Sequence, residues 1–177
     1  MPATAPEPAT SLRLFVALWP DPATRAAIAQ WQRTWDWPSR AAPVKAERLH
    51  ATLHFLGDVP AQRLGEIAAG LRGPFEPFEL ELGHGDVWPN GVAVLEPADT
   101  PQQLERLHAA LRDAVVALGL PVDARPFRPH VTLARRARGA KPPAPLARWC
   151  WRVDEGYVLV RSLPGGAGYQ VVERFGV

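Results

Sequence analysis

Apolar and polar residues follow two kinds of pattern along this chain, one typical of strands and one typical of helices. Apolar runs and every-second-residue patterns predict strands, which are expected near residues 12–19, 48–56, 78–88, 91–96, 127–134, 151–163 and 169–175. Apolar residues spaced three and four apart predict helices, which are expected from Pro22 to about Trp37, over 60–73, and from Pro101 to Leu118. The mixture predicts an α+β fold.

The two halves of the chain repeat one arrangement, in which a predicted helix is followed by a strand that carries the sequence His-x-Thr-Leu. A chain of 177 residues is about one domain in length and is long enough to bury a sizeable core. No linker separates the halves, so we expect residues 12–177 to form a single domain of two similar lobes. Residues 1–11 are expected to be a disordered tail.

The repeated motif reads HATLHFLG at residues 50–57 and HVTLAR at residues 130–135, and it uses two of the five histidines of the chain. Alternate residues of a strand point to the same face. His50 and Thr52 therefore share one face of their strand, as do His130 and Thr132. If the lobes are related by an approximate two-fold axis, two imidazoles and two hydroxyls surround one small anionic group.

Such a group of side chains suits phosphodiester chemistry. Opening a cyclic phosphate requires a base that deprotonates water and an acid that protonates the departing oxygen, and imidazole titrates near neutral pH. Hydroxyl groups and a guanidinium can hydrogen-bond the phosphate oxygens. This scheme requires no metal. The alternative is that both histidines are structural residues of half-buried strands whose hydrogen bonds are satisfied within the protein. That alternative would explain a single motif better than it explains two matching copies.

The other candidate residues point less clearly to a function. Strict alternation places His54 on the face of His50, where it could line the cleft or form a metal pair, but no Cys, HExxH motif or carboxylate cluster completes a metal site. His108 is expected on a helix surface or packed locally, and His84 in a loop. Trp88 could stack on a nucleobase. The single cysteine, Cys150, is expected to be a buried or half-buried thiol.

Charge is distributed unevenly along the chain. The net charge is only +2, yet the segment from Asp123 to Asp154 contains eight basic residues between these two aspartates and no acidic one. Such a cluster favours an anionic ligand, although a solvated loop rich in arginine would look the same. The N-terminus does not resemble a signal peptide, and no run of about 18 apolar residues predicts a membrane helix. We therefore expect a cytoplasmic protein.

The two motifs resemble those of the two-histidine (2H) phosphoesterase superfamily, and within it the bacterial RNA 2',3'-cyclic phosphodiesterases, also called RNA 2'-5' ligases. The resemblance extends to RLFVALWP near the start, GDVWP in the middle and RSLPGGAGY near the end, and it covers about residues 12–175. It implies two lobes of antiparallel sheet flanked by helices around a central cleft. It also implies metal-independent hydrolysis of the 2',3'-cyclic phosphate at an RNA end to a 2'-phosphate, without a cofactor.

The resemblance further implies the roles of individual residues. His50 would donate a proton to the leaving 3'-oxygen, and His130 would be the base that activates water. Thr52, Thr132 and Arg135 would bind the phosphate. Strict alternation, however, places Arg135 on the face of Leu133, away from the cleft, so its assignment requires an irregularity in the strand.

Several alternatives remain open at this level. The same fold could act on 2'-5' oligonucleotides or on an ADP-ribose cyclic phosphate, and the reverse reaction, ligation through a 5'-hydroxyl, could also operate. A non-catalytic RNA-binding protein would need the positive charge but not two groups that titrate near pH 7. The expected partner is RNA with a 2',3'-cyclic phosphate end, and the expected oligomeric state is a monomer.

Overall fold

The computed structural model describes residues 10–143 and 149–176. The strands are β1 (Ser11–Leu18), β2 (Ala42–Pro43), β3 (Ala51–Pro60), β4 (Phe78–Val87), β5 (Ala93–Pro97), β6 (Val131–Arg135), β7 (Trp149–Val153), β8 (Tyr157–Leu163) and β9 (Gly168–Phe175). The helices are α1 (Pro22–Gln32), α2 (Leu64–Gly70) and α3 (Gln102–Ala117). The expected tail falls mostly outside the described residues, and Ser11 already belongs to β1.

One antiparallel sheet contains all nine of these strands. Eight of them follow the order β7-β4-β5-β6-β3-β1-β8-β9. The ninth, β2, pairs with the end of β6, at Ala134 and Arg135. The two motif strands, β3 and β6, lie side by side at the centre, joined through the pair Ala51 and Val131. Four strands lie on each side of this junction. The predicted α+β fold with two similar antiparallel lobes is therefore confirmed.

The two faces of the sheet are covered differently. Leu14, Val16 and Leu18 of β1 are buried in the main core together with Ile28 of α1 and Leu104 of α3. The intervening residues of β1 point the other way and form a small second cluster with β8, made of Phe15, Ala17, Val158 and Val160. The helices thus pack on one face of the sheet, and the opposite face is left for the site.

Several predicted boundaries were wrong. Helix α1 ends at Gln32 rather than near Trp37, because the chain turns there, buries Trp35 and stacks that ring on Trp37 at 4.9 Å. Both motif strands begin one residue after their histidine. The segment predicted as one strand over 151–163 is two, interrupted at Gly156, which has a positive φ of 78°. A Cβ there would lie 1.7 Å from the carbonyl oxygen of Phe175, so only glycine fits.

Within the described residues, the model contains no helix that is both long enough and apolar enough to span a membrane.

Candidate active site

An extra residue interrupts both motif strands at the same place. In the first copy, Ala17 of β1 pairs with Thr52 but its neighbour Val16 pairs with His54. In the second copy, Val94 of β5 pairs with Thr132 but Ala93 pairs with Ala134. Two residues on the motif strand therefore oppose one step of the partner strand, which is a β-bulge. The bulge reverses the alternation of faces just after the motif threonine.

Burial follows this bulge in both copies. Residues 50–55 and residues 130–135 show the same sequence of burial, with the histidine and threonine half-buried, the next two residues after the threonine buried, and the sixth exposed. The sixth residue is Phe55 in the first copy and Arg135 in the second. The bulge thus resolves the difficulty with Arg135, since the side chain returns to the face of His130 and Thr132.

The backbone holds both histidine rings in the same way. His50 Nδ1 lies 2.7 Å from the carbonyl oxygen of Arg48, and His130 Nδ1 lies 2.7 Å from that of Arg128. A carbonyl oxygen can only accept, so Nδ1 is the donor in each ring. In the neutral imidazole, Nε2 then carries the lone pair and is free to act on a substrate. In the first copy, the Thr52 hydroxyl donates to Nε2 of His50 at 3.0 Å.

The pairing of Ala51 with Val131 brings the two motifs together. In this antiparallel register, His50 lies opposite Thr132, and Thr52 lies opposite His130. The electrostatics agree with this proximity. The pKa of His50 is lowered to about 4, mainly because burial disfavours the imidazolium, and further by the positive charges of His130 and Arg135. Burial also lowers the pKa of His130, and the charge of Arg135 adds to that effect.

Aromatic rings surround His50. The Phe15 ring lies 4.9 Å away, the Trp19 ring stacks at 5.7 Å, and the Tyr169 ring meets His50 edge-on at 5.3 Å. Phe55 extends this group, since it lies parallel to Phe15 at 6.1 Å and is 47% exposed. The first lobe therefore presents an open aromatic surface next to its histidine.

An ionic network lies behind His130 instead. The Trp88 ring packs against His130 at 4.4 Å, and the guanidinium of Arg128 lies 4.9 Å above Trp88. Arg128 Nη2 donates to the buried carboxylate of Glu96 at 2.9 Å, Arg128 Nε forms an ion pair with the same carboxylate at 2.5 Å, and the guanidinium lies 3.6 Å from Asp86. A cavity of about 630 Å³, lined in part by Arg128 and Glu96, opens beside this network, and neither motif histidine lines it.

Comparison with known proteins agrees with this fold. The sequence-family model of the 2'-5' RNA ligase superfamily matches residues 19–163 of this chain. The chain belongs to the 2'-5' RNA ligase superfamily.

Two relatives in this superfamily are named RNA 2',3'-cyclic phosphodiesterase. The protein from Escherichia coli is 34% identical, over 87% of this chain and 89% of the relative. The protein from Thermus thermophilus is 36% identical, over 93% and 89%. Among solved structures, E. coli LigT complexed with 3'-AMP matches with a TM-score of 0.82 and 30% identity, over 93% of this chain and 97% of that one. The expectation of a 2H phosphoesterase enzyme is therefore confirmed at the family level.

In this superfamily member, the repeated unit is longer than the four residues noted in the sequence. An arginine lies two residues before each histidine, so both copies read Arg-x-His-x-Thr-Leu. Both arginines offer their carbonyl to the histidine, and Arg48 also donates from Nη2 to the carbonyl oxygen of Gly166 at 2.7 Å. Comparing the two copies two residues further upstream would have identified them. Glu96, in contrast, lies outside the repeated motif, and no pattern in the sequence points to it.

Strict alternation placed His54 on the face of His50, and that placement was wrong. The bulge turns its side chain into the protein, where it is 7% exposed and donates from Nε2 to the carbonyl oxygen of His108 at 2.9 Å. The two rings stack at 4.1 Å, and His108 stacks on Phe127 at 3.8 Å. His54 therefore cannot form a metal pair with His50, and the prediction that His108 packs locally agrees with these contacts.

The remaining expectations concern His84 and Cys150. His84, expected in a loop, lies in β4 and is exposed, with its ligand atom within 4.8 Å of those of Asp86 and Glu96. Such a trio could hold a metal ion, but the guanidinium of Arg128 already contacts both carboxylates, so a cation would have to displace it. Cys150 is exposed rather than buried, because β7 turns Trp151 inwards and its neighbour outwards.

Proposed function

We propose that this protein hydrolyses the 2',3'-cyclic phosphate at the end of an RNA chain and leaves a 2'-phosphomonoester. The observation that carries the proposal is the pair of histidines at the start of adjacent strands, each with Nδ1 hydrogen-bonded to a carbonyl oxygen so that Nε2 carries the lone pair. Two such groups can remove one proton and deliver another at a single phosphorus atom. The names of the relatives support the same substrate class.

In this mechanism, His130 is the base and His50 is the acid. Neutral His130 takes a proton from water through Nε2 while the water oxygen forms a bond to phosphorus. The bond between phosphorus and the 3'-oxygen breaks, and His50 delivers a proton to that oxygen. Afterwards His130 is protonated and His50 is neutral, and solvent exchange restores both.

The charge of the substrate helps to load the acid. In the free protein, the pKa of His50 is lowered to about 4, so its imidazole is neutral at pH 7. A bound cyclic phosphate brings a negative charge next to Arg135 and both imidazoles, and a neighbouring opposite charge favours the imidazolium. Substrate binding is therefore expected to raise the pKa of His50.

Thr52, Thr132 and Arg135 bind the non-bridging phosphate oxygens in this proposal. The Thr52 hydroxyl donates to His50 Nε2 in the free protein. When it turns to the phosphate, Nε2 becomes available to the leaving oxygen. Arg135 is exposed and acts electrostatically on both histidines, so its guanidinium can reach a phosphate held between them. Hydrogen bonds to a charged group of this kind contribute about 1.5–3 kcal/mol each.

The test is phosphorus NMR of a short RNA that ends in a 2',3'-cyclic phosphate, incubated with the protein in excess EDTA. We expect conversion to the 2'-monoester. His50→Ala and His130→Ala should each lower kcat by about 10²–10⁴-fold, the usual contribution of a general acid or base. Full activity in either folded variant, or a 3'-phosphate product, would contradict the proposal. A non-catalytic RNA-binding protein would give no product and would bind RNA equally well in both variants.

Cleavage of 2'-5' oligonucleotides, hydrolysis of an ADP-ribose cyclic phosphate and RNA ligation stay alternatives that the same NMR assay can rank. The single-domain organisation of residues 12–177, the cytoplasmic location and the monomeric state also stay predictions.

A further inference from the structure

Glu96 is one of three buried polar or charged residues among those described, with Gln32 and His54. The residue is 6% exposed, and its carboxylate accepts a hydrogen bond from Arg128 Nη2 at 2.9 Å and forms an ion pair with Arg128 Nε at 2.5 Å. Burying a carboxylate is costly unless it is paired and hydrogen-bonded. The pair lies at one edge of the site, and removing Arg128 would leave the charge of Glu96 buried.

Arg128 connects Glu96 to His130 in two ways. Its carbonyl oxygen accepts the hydrogen bond from His130 Nδ1 at 2.7 Å, which fixes the tautomer of the ring. Its guanidinium lies 4.9 Å above Trp88, whose ring packs against His130 at 4.4 Å. The guanidinium that pairs with Glu96 thus reaches His130 through Trp88, and the backbone of the same residue binds Nδ1.

The first lobe has no equivalent carboxylate in the part of the chain described. Arg48, at the position equivalent to Arg128, donates to the carbonyl oxygen of Gly166 instead. The side-chain charges that act on His50 all lower its pKa, whereas Glu96 raises that of His130 against burial and the charges of Arg128 and Arg135. The charged or titratable groups around His130 are Glu96, Arg128, Arg135 and His50, with Asp86 and His84 of β4 behind them.

We propose that Glu96 is a positioning residue for the base. Through Arg128 and Trp88 it holds the His130 ring, and its negative charge stabilises the imidazolium that forms when His130 takes the proton from water. The arrangement resembles in principle the carboxylate behind the histidine of a catalytic triad, although here the carboxylate acts through an arginine. This inference rests on the proposed function, since it assigns His130 the role of base.

The variant that tests it is Glu96→Gln, which keeps the shape and a hydrogen-bonding oxygen but removes the charge. We expect kcat for the cyclic phosphate to fall about tenfold, part of the 10²–10⁴-fold that a whole general base supplies, with KM nearly unchanged. The acid limb of the kcat profile, which reports the substrate complex in which His50 is protonated, should move to lower pH, because His130 becomes less basic. Glu96→Asp, which retains the charge, should return the limb towards its original position.

The matched control is Glu76→Gln, which removes another carboxylate hydrogen-bonded to an arginine, at 2.7 Å from Arg106 on the exposed surface. It should leave both kcat and the acid limb as they were. Asp86→Asn tests the outer carboxylate, 3.6 Å from Arg128, and should have a smaller effect than Glu96→Gln.

NMR titration of the histidine ring protons separates this inference from the proposed function. In Glu96→Gln, the midpoint of His130 should fall and that of His50 should change little, whether or not the protein turns over the substrate. A His130 titration identical to that of the original protein would overturn the inference. A loss of activity equal at every pH, with no change in the titration, would also overturn it by indicating a merely structural role.

Discussion

The strand that carries His50 and the strand that carries His130 share their backbone but differ in what surrounds them. Both follow an arginine whose carbonyl binds Nδ1, and both contain a bulge after the threonine. The first lobe places aromatic rings next to its histidine, and the second places an arginine and a buried carboxylate there. The common backbone binds the two rings in the same way, while the different neighbours place different charges around them.

This difference is useful because the reaction is not symmetric. One imidazole must be neutral and accept a proton, and the other must be charged and donate one. Two identical environments would not distinguish the two rings, whereas here the charge of Glu96 raises the pKa of His130 against burial and the side-chain charges that act on His50 all lower its pKa. The following predictions test this division of roles.

The largest effect is expected from replacing the leaving oxygen with sulfur. A cyclic phosphate with a bridging sulfur at the 3'-position needs no acid, because a thiolate leaves without protonation. His50→Ala should therefore hydrolyse the sulfur substrate within about tenfold of the original rate, and His130→Ala should stay slower by about 10²–10⁴-fold. Stopped-flow detection of the released thiol would measure both rates. Rescue of His130→Ala instead would reverse the two roles.

A second contrast concerns the sixth residue of each motif, which is Phe55 in one lobe and Arg135 in the other. Arg135→Ala removes a charge that acts on both histidines and should lower kcat/KM by about 10–100-fold, mostly through kcat, since phosphate charge grows in the transition state. Phe55→Ala removes an exposed ring and should raise KM by about tenfold or more if a base stacks on it, with kcat retained.

Steady-state kinetics on one RNA substrate would separate these two effects. Phe55→Leu, which keeps apolar bulk without the ring, is the control for packing against Phe15. Equal effects of the two alanine variants on kcat and KM would show that the two positions do not differ in function.

The sequence allowed the common features of the lobes to be predicted more fully than their differences. The strands, the helices and the shared face of His50 and Thr52 follow from periodicity, which is a local property. The bulges could not be predicted, because Leu53 and Leu133 look like ordinary strand residues and the extra residue is visible only from the pairing with β1 and β5. Alternation was therefore correct up to each threonine and wrong beyond it, at His54.

The role of Glu96 could not be predicted for a related reason. It is the last residue but one of β5, and nothing in the stretch GVAVLE distinguishes it from an exposed strand end. Its contact partner, Arg128, lies 32 residues further along the chain, so the contact forms only when the second lobe folds. Arg48 and Arg128 could have been found, since their spacing from the histidines is the same in both copies.

The smallest predicted effect concerns stability, and it comes from the residue after each bulge, which is His54 in the first lobe and Ala134 in the second. Burial lowers the pKa of His54, and it lowers that of His108 to about 4. In the folded protein the pKa values of both histidines lie below 6.5, which is the pKa of a histidine in the unfolded chain. The unfolded state therefore binds more protons between pH 6.5 and 4. The contribution of these two histidines to the free energy of unfolding is therefore fully present above about pH 6.5 and is lost as the pH falls towards 4.

Urea unfolding at pH 7 and pH 5 would measure this loss, to which other buried histidines, including His50, also contribute. His108→Asn should reduce the difference in unfolding free energy between the two pH values by about 1 kcal/mol, a figure discounted for its partial exposure. His84→Asn, which removes an exposed histidine, should leave that difference as it is. If the two variants gave the same pH dependence, acid would not act on the contact between α3 and β3. The first lobe, with His54 after its bulge, would then be no more sensitive to acid than the second lobe, which has Ala134 at that position.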